Sequence, residues 1–457
     1  MKIVIGVTFF YFVFLSHWAT AQVKKWTLED CVRYAMQKNI SIQLSALETQ
    51  AAAIDTKQAF GNFLPTVNAA SSHSWNIGLN QDITTGILQN KTTQFSSASG
   101  TIGVDLYKGL QNQNALRKAN LAKVAARYQL QKMKEDVALN VANAYLQVLF
   151  NIENVKVQKE QLKIDEQQYA RTQELVKAGT IPRGDLLDSK ATLALDGQKI
   201  VNATNLLEIS KLSLAQLLQL TDFKNFEIAA EAPMSLQSEV LKETPESVLE
   251  VAKQQRVELK LAQTNLEIAE KNIQIAKGNL QPSLRGFYNF NTRISYADIA
   301  LRDSNGAVIG VQGAPPFWEQ FNDNKGQSFG AQLNIPIFNG FSARNAISRS
   351  KVEFEKSKIA LEQQNLDLER NVYTAFTDAK GALQAYESAL ESLFAREESY
   401  RYAKEKFEVG LMNSFDLSQS QLLLSNAQSE VLRTKYDAIF KIKILEFYFG
   451  IPIVKQK

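Results

Sequence analysis

The chain has little of what most enzymes are built from. Among 457 residues there are one cysteine, Cys31, and two histidines, His17 and His73. A single cysteine excludes an internal disulfide. Zinc centres and Cys–His or Ser–His nucleophiles lose most of their support, and no Gly-rich phosphate loop is present to hold a nucleotide. Charge of one sign is not in excess: 51 Lys and Arg against 47 Asp and Glu leave +4, which gives no sign of a nucleic-acid binder. Beyond the N-terminus no apolar run approaches the ~18 residues of a membrane helix, so a membrane can be entered only with strands. No catalytic residue, metal ligand or cofactor is expected, and the chain is read as a non-enzyme.

What is present begins with an export signal. Lys2 precedes an apolar run from Ile3 to Leu15, and Ala19-Thr20-Ala21 supplies a small-x-small cleavage pattern before Gln22. Residues 1–21 are therefore expected to be a signal peptide, and His17 leaves with it. No cysteine stands at the new terminus to carry a lipid. An exported chain of this size without disulfides must be held by packing or assembly.

The chain also repeats itself. Ala59-Phe-Gly61-Asn62-Phe-Leu-Pro65 returns as Ala276-Lys-Gly278-Asn279-Leu-Gln-Pro282, a shift of 217 residues (278 − 61). Later landmarks shift by 231 (340 − 109): Gly109 to Gly340, Asn114-Ala115 to Asn345-Ala346, Tyr169 to Tyr400, and Gly179-x5-Asp185-Leu186 to Gly410-x5-Asp416-Leu417. So long a period points to duplication of a whole domain-sized unit and not to a solenoid.

Between Gly109 and Lys177 there is no proline and no further glycine, and Leu130, Met133, Val137, Val141, Ala144, Val148, Ile152 and Val155 step by three or four. This predicts a helix of unusual length, roughly 100 Å at ~1.5 Å per residue. After Phe341 the pattern returns as a heptad seam through Val372, Phe376, Ala379, Leu383, Tyr386, Leu390 and Leu393. Each rod stops at a glycine and restarts with an acidic first turn, at Gly179–Asp185 and Gly410–Asp416. Shorter helices follow, over about 185–220 and 416–449.

Strands are expected after each proline landmark and before Gly109 and Gly340. In 66–80, Val67, Trp75, Ile77 and Leu79 alternate with Asn68, Ser72, Ser74 and Asn76, although Ser71 and His73 interrupt the apolar face. The stretches 97–106, 284–296 and 328–337 alternate likewise. Ten or more residues with one apolar and one polar face suit a membrane β-barrel, and a soluble sheet with one wet face has the same periodicity. Four strands cannot close a barrel, so the chain is expected to oligomerise; three copies give twelve strands and room for an aqueous lumen.

The signal peptide, the duplicated helix–strand–strand–helix unit, the A-x-G-N-x-x-P element, the Ile337-Phe338-Asn339-Gly340 turn and the G-x5-D-L turn together resemble the TolC family of outer-membrane efflux proteins. The resemblance covers essentially the whole mature chain. It implies a mainly helical fold with membrane strands, in which duplicated helical hairpins form a periplasmic α-barrel tunnel. Four strands per protomer complete a twelve-stranded trimeric barrel in outer-membrane lipid. The implied organisation is a first repeat over 22–220, an equatorial linker over 221–246 containing Pro233 and Pro245, a second repeat over 247–449 and a C-terminal equatorial segment over 450–457. The loop 297–326 is expected outside the cell, partly over the mouth, with Trp75, Tyr288 and Tyr296 as interfacial anchors.

The implied function is a passive exit duct for a tripartite efflux or type I secretion system, served by a periplasmic adaptor and an inner-membrane transporter. In the family, acidic residues at the second tip turn and one helical turn later narrow the tunnel entrance. Asp416 stands at the first position, and Gln419 departs from the pattern at the second. Asp185 and Asp188 are the candidates from the first repeat. Stabilising helix N-termini is the alternative role for Asp185 and Asp416. Gly179, Thr180, Ile181 and Pro182, with Gly410, Leu411, Met412 and Asn413, are the implied adaptor contacts. An envelope-spanning structural or adhesive coiled-coil protein is the alternative reading of the whole chain.

Overall fold

The computed structural model describes residues 25–81, 87–222, 225–229 and 236–453. The expected signal peptide, Pro233 and the last four residues lie outside them. The helices are α1 (Leu28–Lys38), α2 (Ile40–Gly61), α3 (Gln111–Lys177), α4 (Arg183–Leu218), α5 (Pro245–Gln255), α6 (Val257–Gly278), α7 (Phe317–Asp323), α8 (Ser342–Glu408) and α9 (Ser414–Tyr448). The strands are β1 (Thr66–Gln81), β2 (Leu88–Lys108), β3 (Ser283–Ser295), β4 (Ile299–Arg302), β5 (Val308–Gln312) and β6 (Gly326–Asn334).

The internal repeat reaches individual helix ends. Moving α1 and α2 by 217 reproduces the bounds of α5 and α6, and moving α3 by 231 reproduces α8. The break between α1 and α2 falls at Asn39 (φ −62°, ψ 128°), that between α5 and α6 at Arg256 (φ −63°, ψ 127°). Two different residues thus hold one backbone geometry. Asn39 does so by donating to the Leu217 carbonyl at 3.1 Å and accepting from Ser41 N–H at 2.9 Å.

The chain forms two compact units. The first comprises residues 1–43, 134–254 and 370–457. Thr27 starts α1 with a capping box closed by Asp30. Trp26 pairs as a parallel bridge with Ile228, and the Tyr145 hydroxyl donates to the Ala229 carbonyl at 2.9 Å and the Trp26 carbonyl at 3.3 Å. Cys31, fully buried here, has its thiol pushed up to about 12 by burial and then by Asp30, so it is an inert core residue. On α8 the buried seam runs through Val372, Ala375, Ala379, Ala382 and Ala389, one residue off the expected Phe376, Leu383 and Leu390. Alanine lets helices approach closely, and the larger side chains are displaced to the flank, where Leu390 is 40% exposed.

The second unit comprises 44–133 and 255–369. Its antiparallel sheet has the order β1-β2-β3-β6. The register Val67↔Ile102↔Tyr288↔Phe329 puts these residues on one face, with Trp75, Ile77, Leu79 and Leu333. Asn68, Thr101, Asn289 and Ser328 share the other. His73, which interrupts the apolar face, lies 2.7 Å from the Ser96 hydroxyl and edge-on to Trp75, while Ser96 lies 3.1 Å from the Tyr296 hydroxyl. Strand β2 begins at Leu88, earlier than its alternation shows, and β6 ends at Asn334 because Pro336 has no N–H to continue the ladder.

The loop after β3 carries a small hairpin, β4–β5, and α7. Thr292 donates to the Phe321 carbonyl at 3.0 Å, and Gln320 bonds both the N–H and the carbonyl of Ser295 at 3.0 and 2.9 Å. Phe321 lies 6.1 Å from Phe290, so α7 packs on the apolar face of β3 instead of over the polar one. At the strand-to-helix corners Gly109 and Leu110 (φ 57° and 60°) and Gly340 and Phe341 (φ 59° and 64°) are consecutive left-handed residues. Glycine at the first position removes half of that strain.

Candidate functional site

The site is built in the first unit, from the turns that join α3 to α4 and α8 to α9. Both turns use the same stop. Thr180 N–H bonds the Leu175 carbonyl at 3.0 Å and Gly179 N–H the Val176 carbonyl at 3.1 Å, with Gly179 at φ 70°. Leu411 N–H bonds Lys406 at 2.8 Å and Gly410 N–H bonds Phe407 at 3.1 Å, with Gly410 at φ 76°. These are paired Schellman motifs, which only a residue at ease with positive φ can close.

The restarts differ. Asn413 caps α9, its side-chain oxygen accepting from Asp416 N–H at 2.8 Å. Pro182 stands at the cap of α4 with no side-chain bond, and its carbonyl takes Asp185 N–H at 3.2 Å. Neither aspartate side chain makes the capping bond. Each sits in a first turn, where the helix dipole favours an anion. Asp185 is half-buried, and Asp188, Asp416 and Gln419 are exposed. Among the adaptor candidates Gly179, Thr180, Pro182, Gly410 and Asn413 are exposed, Ile181 and Met412 are half-buried, and Leu411 is 79% exposed.

Asp188 and Gln419 come together as lining of one cavity of about 270 Å³; Asp185 and Asp416 are not part of it. The deeper wall of this cavity was not expected from the sequence. Asp165 of α3 and Asp196 of α4 are 5% and 2% exposed. Gln421 of α9 donates to Asp165 at 2.6 Å, Gln161 donates to it at 2.8 Å, and Lys199 donates to Asp196 Oδ1 at 2.8 Å. Burial, and then the Asp196 carboxyl beside it, push Asp165 up to about 7, against the two glutamine hydrogen bonds that pull it down. Asp196 Oδ2 is buried without a hydrogen-bond partner among the described residues. The arrangement is a latch across three helices whose charge depends on pH near neutrality. Among the described residues no group of three or more His, Cys, Asp or Glu could hold a metal ion.

The family model described as "Outer membrane efflux protein" matches residues 32–219 and 248–440. The antibiotic efflux pump outer membrane protein ArpC of Pseudomonas putida is 22% identical over 433 residues, which is 89% of this chain and 79% of that protein. The alkaline protease secretion protein AprF of Pseudomonas aeruginosa is 26% identical over 127 residues, 27% of this chain and about a quarter (26%) of that protein's length. Among solved structures, CusC superposes with a TM-score of 0.78 at 16% identity, covering 92% of this chain and 91% of its own. The fold is thus that of TolC-like channels, and with two matched stretches spanning most of its length the chain belongs to the outer membrane efflux protein family, as a non-enzymatic channel of the outer membrane.

Proposed function

We propose that the protein is the exit duct of a tripartite export machine, working as a homotrimer that receives cargo from an inner-membrane transporter through a periplasmic adaptor. The observation that carries this is the sheet order β1-β2-β3-β6, which leaves β1 and β6 as open edges. Unpaired edges are not tolerated in lipid, and β6 of one copy against β1 of the next satisfies both. Three copies of four strands give twelve, wide enough for a lumen lined by Asn68, Thr101, Asn289 and their neighbours. Asp185 and Asp416, with Asp188 and Gln419 behind them, narrow the periplasmic entrance by concentrating negative charge. The residues 179–182 and 410–413 meet the adaptor. Export of small molecules is favoured by the likeness to an antibiotic efflux relative along 89% of the chain. Protein secretion, suggested by AprF over 27% of it, is the second reading. The mass of the mature protein extracted in mild detergent tests the assembly: a trimer is expected, and a monodisperse monomer contradicts it.

A further inference from the structure

Where the sheet of the second unit meets its helices, two corners of the same chain lock together. A Cβ on Gly109, at the β2–α3 corner, would strike the Gly278 carbonyl oxygen, and one on Gly278, at the α6–β3 corner, would strike the Gly109 carbonyl and the Gln111 side chain. Beside this backbone contact the Tyr107 hydroxyl donates to Gln281, and Gln111 donates to Asn279 at 3.0 Å. The lock joins neighbours in the sheet, because β2 pairs with β3.

The repeat supplies the same parts a second time. Shifting Gly109 and Tyr107 by 231 gives Gly340 and Phe338, and shifting Gly278 and Gln281 back by 217 gives Gly61 and Leu64. Gly340 repeats the Gly109 backbone, and α2 ends at Gly61 as α6 ends at Gly278. Yet a Cβ at Gly61 or Gly340 meets nothing within 4 Å, and Phe338 and Leu64 are 76% and 52% exposed. These corners flank β6 and β1, the two sheet edges. Gly61 has a second peculiarity: it closes a helix without a positive φ, so nothing inside its own chain requires glycine there.

We infer that the β6–α8 corner of one copy docks into the α2–β1 corner of a second copy, with Gly340 against Gly61 and Phe338 against Leu64. The polar Tyr107–Gln281 contact inside the chain is replaced by an apolar one between chains, which suits a contact made by two separately folded surfaces. The interface is head-to-tail, so it propagates around a ring. The inference rests on the ring proposed above and assigns the residues that seal it.

Two variants test it in the full-length protein. Leu64→Cys with Phe338→Cys, oxidised in outer-membrane vesicles, is expected to give a covalent ladder up to the complete oligomer, absent from either single variant; native Cys31 is fully buried. Gly61→Ala separates the alternatives by sign. In an isolated chain alanine at this helical position is neutral or stabilising. In the docked corner it intrudes on Gly340, and the oligomer is expected to dissociate at a lower temperature than wild type. An intact oligomer that neither cross-links through Leu64 and Phe338 nor loses heat resistance with Gly61→Ala overturns the corner and leaves the ring standing. A wild-type monomer overturns both.

Discussion

Gln421 on α9 reaches Asp165 on α3 with a 2.6 Å hydrogen bond, and Asp165 faces a second buried carboxyl, Asp196, on α4. The charged and titratable groups around it are Asp196 and Lys199 from α4 and Tyr400 from α8, whose hydroxyl is itself pushed up by burial and by Asp165. Asp188 of α4 lines the same cavity, and the polar residues that α9 contributes to it, Ser418, Gln419, Gln421 and Ser425, are all neutral. Because the folded chain holds the Asp165 proton up to about 7 and an unfolded aspartate releases it near 4, the native state binds the extra proton in that window. The contribution of the cluster is therefore complete at acid pH and is lost as pH rises to about 7. Thermal unfolding of the wild type is expected at lower temperature at pH 8 than at pH 5.5, and Asp165→Asn should flatten that dependence. An unchanged slope in the variant would place the titration elsewhere.

Tyr145 is 1% exposed and ties two backbone segments together through its hydroxyl, to Ala229 and Trp26. Tyr145→Phe takes the hydroxyl donor from the Ala229 carbonyl, while the Trp26 carbonyl keeps its bond from Ala229 N–H at 2.8 Å, at a cost of about 1–2 kcal/mol. Urea unfolding should show this as a lower midpoint with unchanged slope. No loss of stability would mean that water replaces the hydroxyl.

If the turns meet the adaptor, charging them should separate docking from folding. Leu411, 79% exposed, and half-buried Ile181 lie outside the strands and the buried helix seams. Leu411→Glu with Ile181→Glu should abolish adaptor cross-linking and export while leaving oligomer formation intact. Normal cross-linking and export would move the docking surface away from the turns.

Trp318, 69% exposed on α7, lies ring to ring 5.7 Å from Phe321, which itself lies 6.1 Å from Phe290 on the sheet face that also carries Trp75 of β1. In vesicles containing acyl-brominated phosphatidylcholine, Trp318→Phe is expected to remove part of the lipid-quenched emission, because aromatic side chains favour the membrane interface. Emission quenched only from the aqueous phase would return α7 to the mouth of the lumen.

The duplication was legible because it is written in glycines, prolines and aspartates that punctuate the backbone, and those positions fix the ends of α2, α3, α6 and α8. The carboxyl latch was not. Seven-residue steps from Val141, Val148 and Val155 lead to Leu162 and Tyr169, whereas the residues buried on this stretch of α3 include the polar Gln161, Asp165 and Thr172. They lie off that register, so hydrophobic periodicity gave no signal for them. On α8 the expected seam followed the largest apolar residues, whereas close helix packing selected the alanines beside them. The role of α7 escaped because Gln320 and Asn324 anchor it through side-chain bonds to strand carbonyls, which leave no periodic trace.

We propose that the aspartates of the turns narrow the entrance of the duct. Asn413 already supplies the capping bond at α9, which frees the exposed Asp416 carboxylate from that role. Single-channel recording in planar bilayers tests the claim directly, with wild type compared against Asp185→Ala, Asp416→Ala and the double variant. The account predicts higher conductance and loss of block by divalent cations from the periplasmic side, largest in the double variant. Conductance and block identical to wild type in that double variant would contradict it and return both residues to stabilising helix N-termini.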